Sequence, residues 1–181
     1  MRRQVWFLAA LLMIIGLGAS AQKKKTAAAG GKQFQVYAVG FYNQENLFDT
    51  CHDAGKNDYE YLPAKGWNGM KYTSKLKNMS RALADMGTDV LPNVGCAFIG
   101  LAEVENANVL KDLTAQPPLK VRNMQFCHIE GPDKRGIDCA LLYNPALFRV
   151  KNVKLVPYVQ ELAKDSAFKT RGFLTLSLIH I

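Results

Sequence analysis

Apolar residues recur along the chain at two spacings, one typical of strands and one typical of helices. Residues 34–41 are rich in β-branched and aromatic side chains, which predicts a strand ending at Tyr42-Asn43. Residues 50–69 are polar and rich in Asp, Asn, Gly and Lys, and we interpret them as a long surface loop. Apolar side chains then lie three or four residues apart at Tyr72, Leu76, Met79, Leu83 and Met86. This spacing predicts a helix with one apolar face, and Gly87 stands where such a helix stops.

The remaining pattern predicts further strands with a short helix among them. A buried strand is predicted from the apolar run at 97–101, ending at Ala102-Glu103. A brief helix is predicted at 106–114, and Pro117-Pro118 is expected to break the chain after it. Strand-like runs follow at 124–129, 139–143, 148–156 and 173–181. The order β-α-β-α-β-β-β-β predicts an α/β layered fold with a mixed sheet.

The most apolar segment lies at the N-terminus and has the features of a targeting sequence. Two arginines precede an apolar run at 5–17, and Ala-Ser-Ala at 19–21 offers the small residues that a signal peptidase reads. A helix of that run would reach only about 20 Å, which is short of a hydrocarbon core of about 30 Å. We therefore expect residues 1–21 to be a bacterial signal peptide. The protein would be exported, periplasmic or secreted, with no stable membrane insertion after cleavage. An uncleaved membrane anchor is the alternative.

Composition narrows the class of protein without identifying its function. Residues 22–32 contain no large apolar side chain, so we expect a flexible linker before a folded part at 33–181. The whole chain of 181 residues is 49% hydrophobic and 21% charged, which argues against a disordered or fibrous protein. Its formal net charge of +8 favours anionic partners without specifying which. Four cysteines are too few for a disulfide-dense scaffold, and the sequence leaves open whether they pair.

Polar side chains follow two of the predicted strands. Asn43 and Glu45 come after the first strand, and Glu103 and Glu105 come after the central one. In layered α/β folds, ligand-binding groups commonly gather at such strand ends. Carboxylate and amide oxygens suit Mg²⁺ or Ca²⁺, and the sequence has no His-x-x-x-His or Cys-x-x-Cys pair for zinc. The pattern predicts a hard-metal site, while turns and helix caps are the alternative use of these residues.

Three ordered motifs are more specific than any single residue. They are FYNQENLFD at 41–49, FIGLAEVEN at 98–106 and RGIDCALLY at 135–143. Together they resemble the endonuclease/exonuclease/phosphatase superfamily, in particular its secreted bacterial branch, over residues 33–176. The resemblance implies a deoxyribonuclease-like α/β fold, a four-layer sandwich of two packed β-sheets flanked by helices. It also implies an Mg²⁺-dependent site at one edge, where an activated water cleaves phosphodiesters or phosphomonoesters.

The resemblance also implies roles for individual residues. Glu103 matches the family's main metal-binding glutamate, and Asn43 matches the asparagine that helps to place the scissile phosphate and the metal. Both are therefore catalytic candidates. Glu45 falls where some members have a further acidic metal contact. Arg171 resembles an arginine that touches phosphate, a task that suits a forked guanidinium. Arg135 is a second substrate-binding candidate, and an ion pair that shapes its loop is the alternative.

Parts of the family's pattern are missing from this chain. Members continue after the region of Arg171 with a His-bearing strand, an Asp-x-Asn pair and a terminal Ser-Asp-His motif. These residues orient the attacking water, stabilise the leaving group and complete metal binding. None of the three motifs is present, and His180 has none of the expected context. We therefore expect residues 33–181 to be the N-terminal part of the domain, incomplete at the C-terminus, and this chain to be an inactive fragment.

The resulting functional hypothesis is an exported nuclease or phosphodiesterase that depends on Mg²⁺, with Mn²⁺ as a possible substitute. Its partners would be nucleic acid or another phosphate ester, and we expect a monomer. One alternative is a phosphatase acting on small phosphate esters or lipid head groups. An alternative of another class is a non-catalytic fragment that binds polyanions through its positive charge. Kinship at the level of the fold does not select among substrates.

Overall fold

The computed structural model describes residues 34–158 and 170–181 of the chain. The predicted signal peptide and linker therefore lie outside the described residues. The chain divides into two units, residues 1–35 and residues 36–181. In the first unit only residues 34 and 35 are described, and they have no regular secondary structure. No helix within the described ranges is long and apolar enough to cross a membrane.

All described helices and strands belong to the second unit. In chain order they are β1 Ala38–Leu47, two 3₁₀ helices Tyr59–Tyr61 and Pro63–Lys65, α1 Gly69–Asp85, β2 Cys96–Val104, α2 Ala107–Thr114, α3 Pro117–Lys120, β3 Gln125–His128, β4 Asp138–Tyr143, β5 Phe148–Val156 and β6 Phe173–His180. The sequence of strands and longer helices confirms the predicted α/β class.

The strands form two sheets. The first has the order β1-β2-β4-β3, with β1 and β2 parallel and the other neighbours antiparallel, so it is the predicted mixed sheet. The second consists of β5 and β6 paired antiparallel. Both central strands of the first sheet, β2 and β4, are rich in apolar residues because they are covered on two faces.

The two faces of the first sheet contact different partners. Ile99 and Leu101 of β2 are almost fully buried and belong to the same core as Leu83 of α1. Phe98 points the opposite way, as expected from the two-residue period of a strand, and its ring meets that of Phe148 on β5 at 5.5 Å and 88°. Helices therefore cover one face of the four-stranded sheet, and the second sheet packs on the other.

The apolar stripe predicted for α1 is confirmed. Leu76 and Leu83 are buried, and the other members of the stripe pack partly buried against the same core. Asn68 caps the helix by accepting a hydrogen bond from the backbone N–H of Lys71 at 3.1 Å. Gly87 follows the helix with a φ of 75°, a left-handed conformation that glycine adopts without strain.

Several predicted boundaries were wrong. β1 begins at Ala38 rather than at 34 and continues beyond Asn43 to Leu47, and β2 continues through Glu103 to Val104. Asn43, Glu45 and Glu103 therefore lie within the last residues of the strands rather than after the strand ends. The parallel ladder is interrupted between Asn43 and Leu47, so both strands can extend past the predicted ends by forming a bulge.

Two further local predictions need correction. Pro117-Pro118 does not simply break the chain but begins α3, because proline is tolerated in the first turn of a helix, where its missing N–H has no partner to lose. The loop at 50–69 contains the two 3₁₀ helices. All four cysteines are described, and all are free thiols.

Candidate functional site

The bulge at the ends of β1 and β2 contains three residues with left-handed backbone. Glu45 has a φ of 51°, Asn46 of 59° and Glu103 of 61°. Such conformations are uncommon for residues other than glycine and cost of order 1–3 kcal/mol each when the residue is strained. Backbone of this kind clusters at binding and catalytic sites, so the bulge marks a candidate site at the position where the sequence predicted one.

Two hydrogen bonds hold the predicted site residues of the bulge, one within β1 and one between the two strands. The Asn46 N–H donates to Oε2 of Glu103 at 3.1 Å, and the Glu45 N–H donates to Oδ1 of Asn43 at 2.9 Å. Asn43 also pairs in the strand register with Ala102, the residue before Glu103. The structure therefore places the β1 segment that contains Asn43 and Glu45 beside Glu103 of β2.

Lys75 of α1 holds the same segment from the helical side, a contact that the sequence analysis did not identify. Its ammonium donates to the carbonyl oxygens of Glu45 at 2.5 Å and Asn46 at 3.0 Å. Burial lowers the pKa of Lys75, while the carboxylates of Glu45 and Glu103 act in the opposite direction. Lys75 thus fixes the carbonyl groups of the two residues with left-handed backbone, and it places a positive charge close to both carboxylates.

The contribution of Lys75 to stability can be measured directly. Lys75→Met removes two charge-assisted hydrogen bonds and is expected to lower the free energy of unfolding by about 1–3 kcal/mol. Lys77→Met is the matched control, since Lys77 is exposed on the same helix and its change should stay within about 0.5 kcal/mol. Urea unfolding compares the two variants. Equal stability of both would show that Lys75 does not hold the bulge.

Two polar side chains are buried behind the bulge. Gln44 is fully buried, and neither atom of its amide has a hydrogen-bond partner among the described residues. Glu105 is 1% exposed; its Oε2 accepts from the Asp49 N–H at 2.8 Å, and its Oε1 has no partner in the described ranges. Burial raises the pKa of Glu105 to about 8, although the hydrogen bond from the Asp49 N–H acts in the opposite direction. In the metal-free protein Glu105 therefore keeps its proton to a higher pH than an ordinary carboxyl does.

Glu105 is expected to make the stability of the metal-free protein depend on pH. Its pKa of about 8 exceeds the ordinary value of 4.5, so the folded state keeps a proton that the unfolded state releases between these values. The free energy of unfolding should therefore fall as the pH rises from about 4.5 to about 8, by at most about 1.4 kcal/mol per pH unit. Glu105→Gln should remove this contribution. Urea unfolding in chelator over that pH range tests it, and an unchanged slope in the variant would contradict it.

Aromatic rings fix the long loop beside the bulge. Tyr61 stacks on the buried ring of Phe48 with centroids 4.0 Å apart and planes 4° from parallel, and Trp67 meets Tyr61 edge-on at 6.0 Å. The Trp67 indole N–H donates to the carbonyl oxygen of Asp49 at 2.7 Å. These contacts give a polar loop a fixed position.

Tyr61 is a residue of the site that the sequence analysis missed. Burial raises the pKa of its hydroxyl; the Glu60 and Glu103 carboxylates raise it further, and the Arg135 guanidinium lowers it. The hydroxyl thus lies within the electrostatic influence of both Glu103 and Arg135. Its only signal in the sequence is an aromatic residue inside a polar stretch.

Arg135 forms an ion pair with Asp133, which is the alternative that the sequence left open beside a substrate-binding role. Its Nε lies 3.3 Å from Oδ1 of Asp133, and its side chain remains 58% exposed. The guanidinium thus shapes its loop and is still accessible from solvent. Asp138 accepts hydrogen bonds from His128 Nε2 at 3.3 Å and from the Gly131 N–H at 3.1 Å, so this buried pair fixes the other side of the loop.

Arg171 lies just before β6, on the face between the two sheets. Burial raises the pKa of Cys139, and the Arg171 guanidinium opposes this increase. Cys139 pairs in the register with Ala102, next to Glu103. Among the described residues, however, no hydrogen bond or ion pair connects Arg171 with Asn43, Glu45 or Glu103.

Two groups of side chains have the chemistry of metal ligands. Asn43, Glu45 and Glu103 offer an amide oxygen and two carboxylates, which suit a hard divalent cation. The possible ligand atoms of His128, Glu130 and Asp138 lie within 4.8 Å of one another. The second group is already satisfied by the protein, because His128 bonds to Asp138 and the Lys56 ammonium pairs with Glu130 at 2.9 Å. Among the described residues, the donors at the bulge bond only to backbone N–H groups, through Oδ1 of Asn43 and Oε2 of Glu103, whereas the second group includes two side-chain ion pairs.

Comparison with known proteins assigns the chain to a family. No curated protein and no solved structure matches the chain. The model of the Endonuclease/Exonuclease/phosphatase family matches residues 38–178, from the first residue of β1 into β6. The match includes Asn43, Glu45, Glu103, Arg135 and Arg171. Members of this family are hydrolases of phosphate esters and generally use divalent metal ions. Because the match covers well over half of its residues, the chain belongs to the endonuclease/exonuclease/phosphatase family.

Proposed function

We propose that this domain hydrolyses phosphodiester bonds with Mg²⁺, as an exported and monomeric nuclease or phosphodiesterase, and that the 181 residues without the Asp-x-Asn and Ser-Asp-His motifs are inactive. The observation that carries the proposal is the bulge itself, where the β1 segment containing Asn43 and Glu45 lies beside Glu103 of β2 and the Asn46 N–H donates to Glu103. The family match supports hydrolysis of a phosphate ester. Export rests on the signal-peptide pattern of residues 1–21.

In this proposal Glu103 is the principal metal ligand, and Glu45 and Asn43 are further ligands. The exposed side chains of Asn43 and Glu45 are open to substrate, while Glu103 is held by the Asn46 N–H. When bound, Mg²⁺ would neutralise charge on the phosphoryl oxygens and make a bound water more acidic. Mn²⁺ would serve in its place, because it accepts the same oxygen donors.

Four side chains would bind the substrate, three predicted from the sequence and one, Tyr61, found in the structure. The Asn43 amide would position the scissile phosphate beside Glu103. Arg135 and Arg171 would donate forked hydrogen bonds to phosphate oxygens, which strengthen as negative charge develops. The Tyr61 hydroxyl, under the influence of Glu103 and Arg135, would donate a further hydrogen bond to the phosphate.

The proposal is tested by metal binding and hydrolysis together, because binding by these side chains does not require the group that activates water. Mn²⁺ binding is measured by electron paramagnetic resonance. Hydrolysis is measured with plasmid DNA, a chromogenic phosphodiester and a chromogenic phosphomonoester, each with Mg²⁺ and with chelator. We expect one Mn²⁺ site, and hydrolysis with a preference for the diester in a protein that also carries the Asp-x-Asn and Ser-Asp-His motifs. A preference for the monoester would favour the phosphatase alternative, and hydrolysis that persists in chelator would contradict the proposal.

A further inference from the structure

A groove of about 370 Å³ lies beside the bulge, between the end of β1 and the first turns of α1. We call it the α1 groove. Its polar and aromatic lining residues are Glu45, Trp67, Lys71, Ser74, Lys75 and Asn78. Neither the family match nor the sequence motifs assign a role to this groove. A ligand that occupies it would lie next to the candidate metal ligands, because Glu45 belongs to both.

One wall of the α1 groove is a row of hydrogen-bond donors on a single helix face. Lys71, Ser74 and Asn78 are spaced three and four residues apart, which places their side chains on the same side of α1. Lys71 is exposed, and its ammonium has no carboxylate partner among the described residues. A free ammonium beside a hydroxyl and an amide is suited to an anionic group such as phosphate.

The opposite side of the groove contains a planar ring in a fixed position. The Trp67 indole is held by its hydrogen bond to Asp49 and by the edge of Tyr61, and the Lys75 ammonium lies 5.7 Å from the ring centroid. The Lys75 charge is engaged by the carbonyl groups of the bulge, whereas that of Lys71 is available to a ligand. Ring, free cation and donors in one groove are the combination that binds single-stranded nucleic acid.

We propose that the α1 groove binds the nucleotide next to the scissile phosphate of a single-stranded nucleic acid. Lys71 would contact the phosphate of that nucleotide, and Trp67 would contact its base. The inference rests on the proposed function and deepens it. A small phosphate ester has no neighbouring nucleotide that could occupy a second subsite. A lipid surface is the alternative occupant, and the vesicle measurement below distinguishes it.

Trp67 provides the probe for the test. The chain contains two tryptophans, Trp6 and Trp67, and Trp6 lies in the predicted signal peptide, so a protein that begins at residue 22 has Trp67 as its one tryptophan. This protein is titrated in chelator with a ten-nucleotide deoxythymidine strand that carries a fluorophore, which reports total binding by anisotropy. We expect Trp67 emission to fall in step with the anisotropy. Lys71→Ala should weaken binding roughly fivefold to tenfold and lower the salt slope by about 0.7.

Matched variants separate the groove from the charge of the protein as a whole. Lys77→Ala removes an exposed lysine of the same helix that does not line the groove and should leave affinity and salt slope unchanged. Lys71→Arg should restore most of the affinity. Binding without a change in Trp67 emission, or equal effects of Lys71→Ala and Lys77→Ala, would overturn the inference.

The outcome is also distinguishable from failure of the proposed function. A strand that binds outside the groove, together with an Mn²⁺ site at Glu103, would leave the proposed function in place and remove the subsite. Loss of the Mn²⁺ site as well would contradict the proposed function itself. A response of Trp67 emission to anionic phosphatidylglycerol vesicles, with none to the deoxythymidine strand, would assign the groove to lipid and overturn the inference.

Discussion

In a protein that also carries the motifs missing from this chain, Glu103→Gln is expected to lower phosphodiester hydrolysis about a hundredfold or more, the largest effect of any single substitution in the site. The change replaces a charged hard ligand by a neutral amide, which holds a divalent cation less well. The amide oxygen still accepts the Asn46 N–H, so the bulge and the fold should be kept. The rate with a chromogenic phosphodiester at saturating Mg²⁺ measures the effect.

Glu60→Gln is the matched control for this substitution. Glu60 is an exposed carboxylate near Tyr61, and its replacement removes the same charge without touching the bulge. Its hydrolysis rate should stay within about twofold of the original. Activity of Glu103→Gln equal to that of Glu60→Gln would show that Glu103 is not the metal ligand.

In the same longer protein, Asn43→Ala is expected to reduce turnover about tenfold to a hundredfold, with a smaller change in Mn²⁺ affinity. Loss of the amide removes a group that positions the scissile phosphate, and small misplacements of the reacting atoms cost rates of this size. It also leaves the Glu45 N–H without its bond to Oδ1 of Asn43. Steady-state kinetics should show the loss mainly in kcat.

Asn43→Asp distinguishes the two roles of this side chain. The carboxylate keeps an acceptor for the Glu45 N–H, so the local backbone should be preserved, and Mn²⁺ affinity should be equal or higher. Its negative charge repels phosphate, so the affinity for inorganic phosphate should fall. Phosphate affinity that is unchanged in both variants would contradict a contact between Asn43 and the phosphate.

Elements with a regular apolar period could be predicted from the sequence. The stripe on α1 and the apolar runs of β2 and β4 correspond to buried faces, because local spacing alone determines which side of a helix or strand meets the core. The motifs likewise predicted that Asn43 and Glu103 lie near strand ends. Their motifs place them near the ends of two strands that pair in parallel.

The bulge and its supporting contacts could not be predicted in this way. The left-handed backbone at Glu45 and Glu103 depends on a ladder between strands that are distant in sequence. Lys75 reaches the bulge from a helix 30 residues away and has no local feature that separates it from other lysines of α1. Tyr61 is held in position by stacking on Phe48, a contact that the sequence of a polar loop does not predict.

The arginines show the limit of inference from motifs. Arg135 lies where its motif predicted a residue near the site, yet its nearest charged partner is Asp133. Which role dominates depends on side-chain geometry, and the sequence carries no information about it. Arg171 precedes a strand of the second sheet, so its distance from Glu103 depends on how the two sheets pack.

The most direct test of the metal assignment is the number of Mn²⁺ ions bound by the protein, by Glu103→Gln and by Glu130→Gln. Glu130 belongs to the other group of possible ligands, with His128 and Asp138, and its substitution removes the same charge elsewhere. Electron paramagnetic resonance should find one Mn²⁺ site in the original protein and in Glu130→Gln, and none at the same concentration in Glu103→Gln. A site that survives Glu103→Gln and disappears in Glu130→Gln would contradict a metal centre at the bulge.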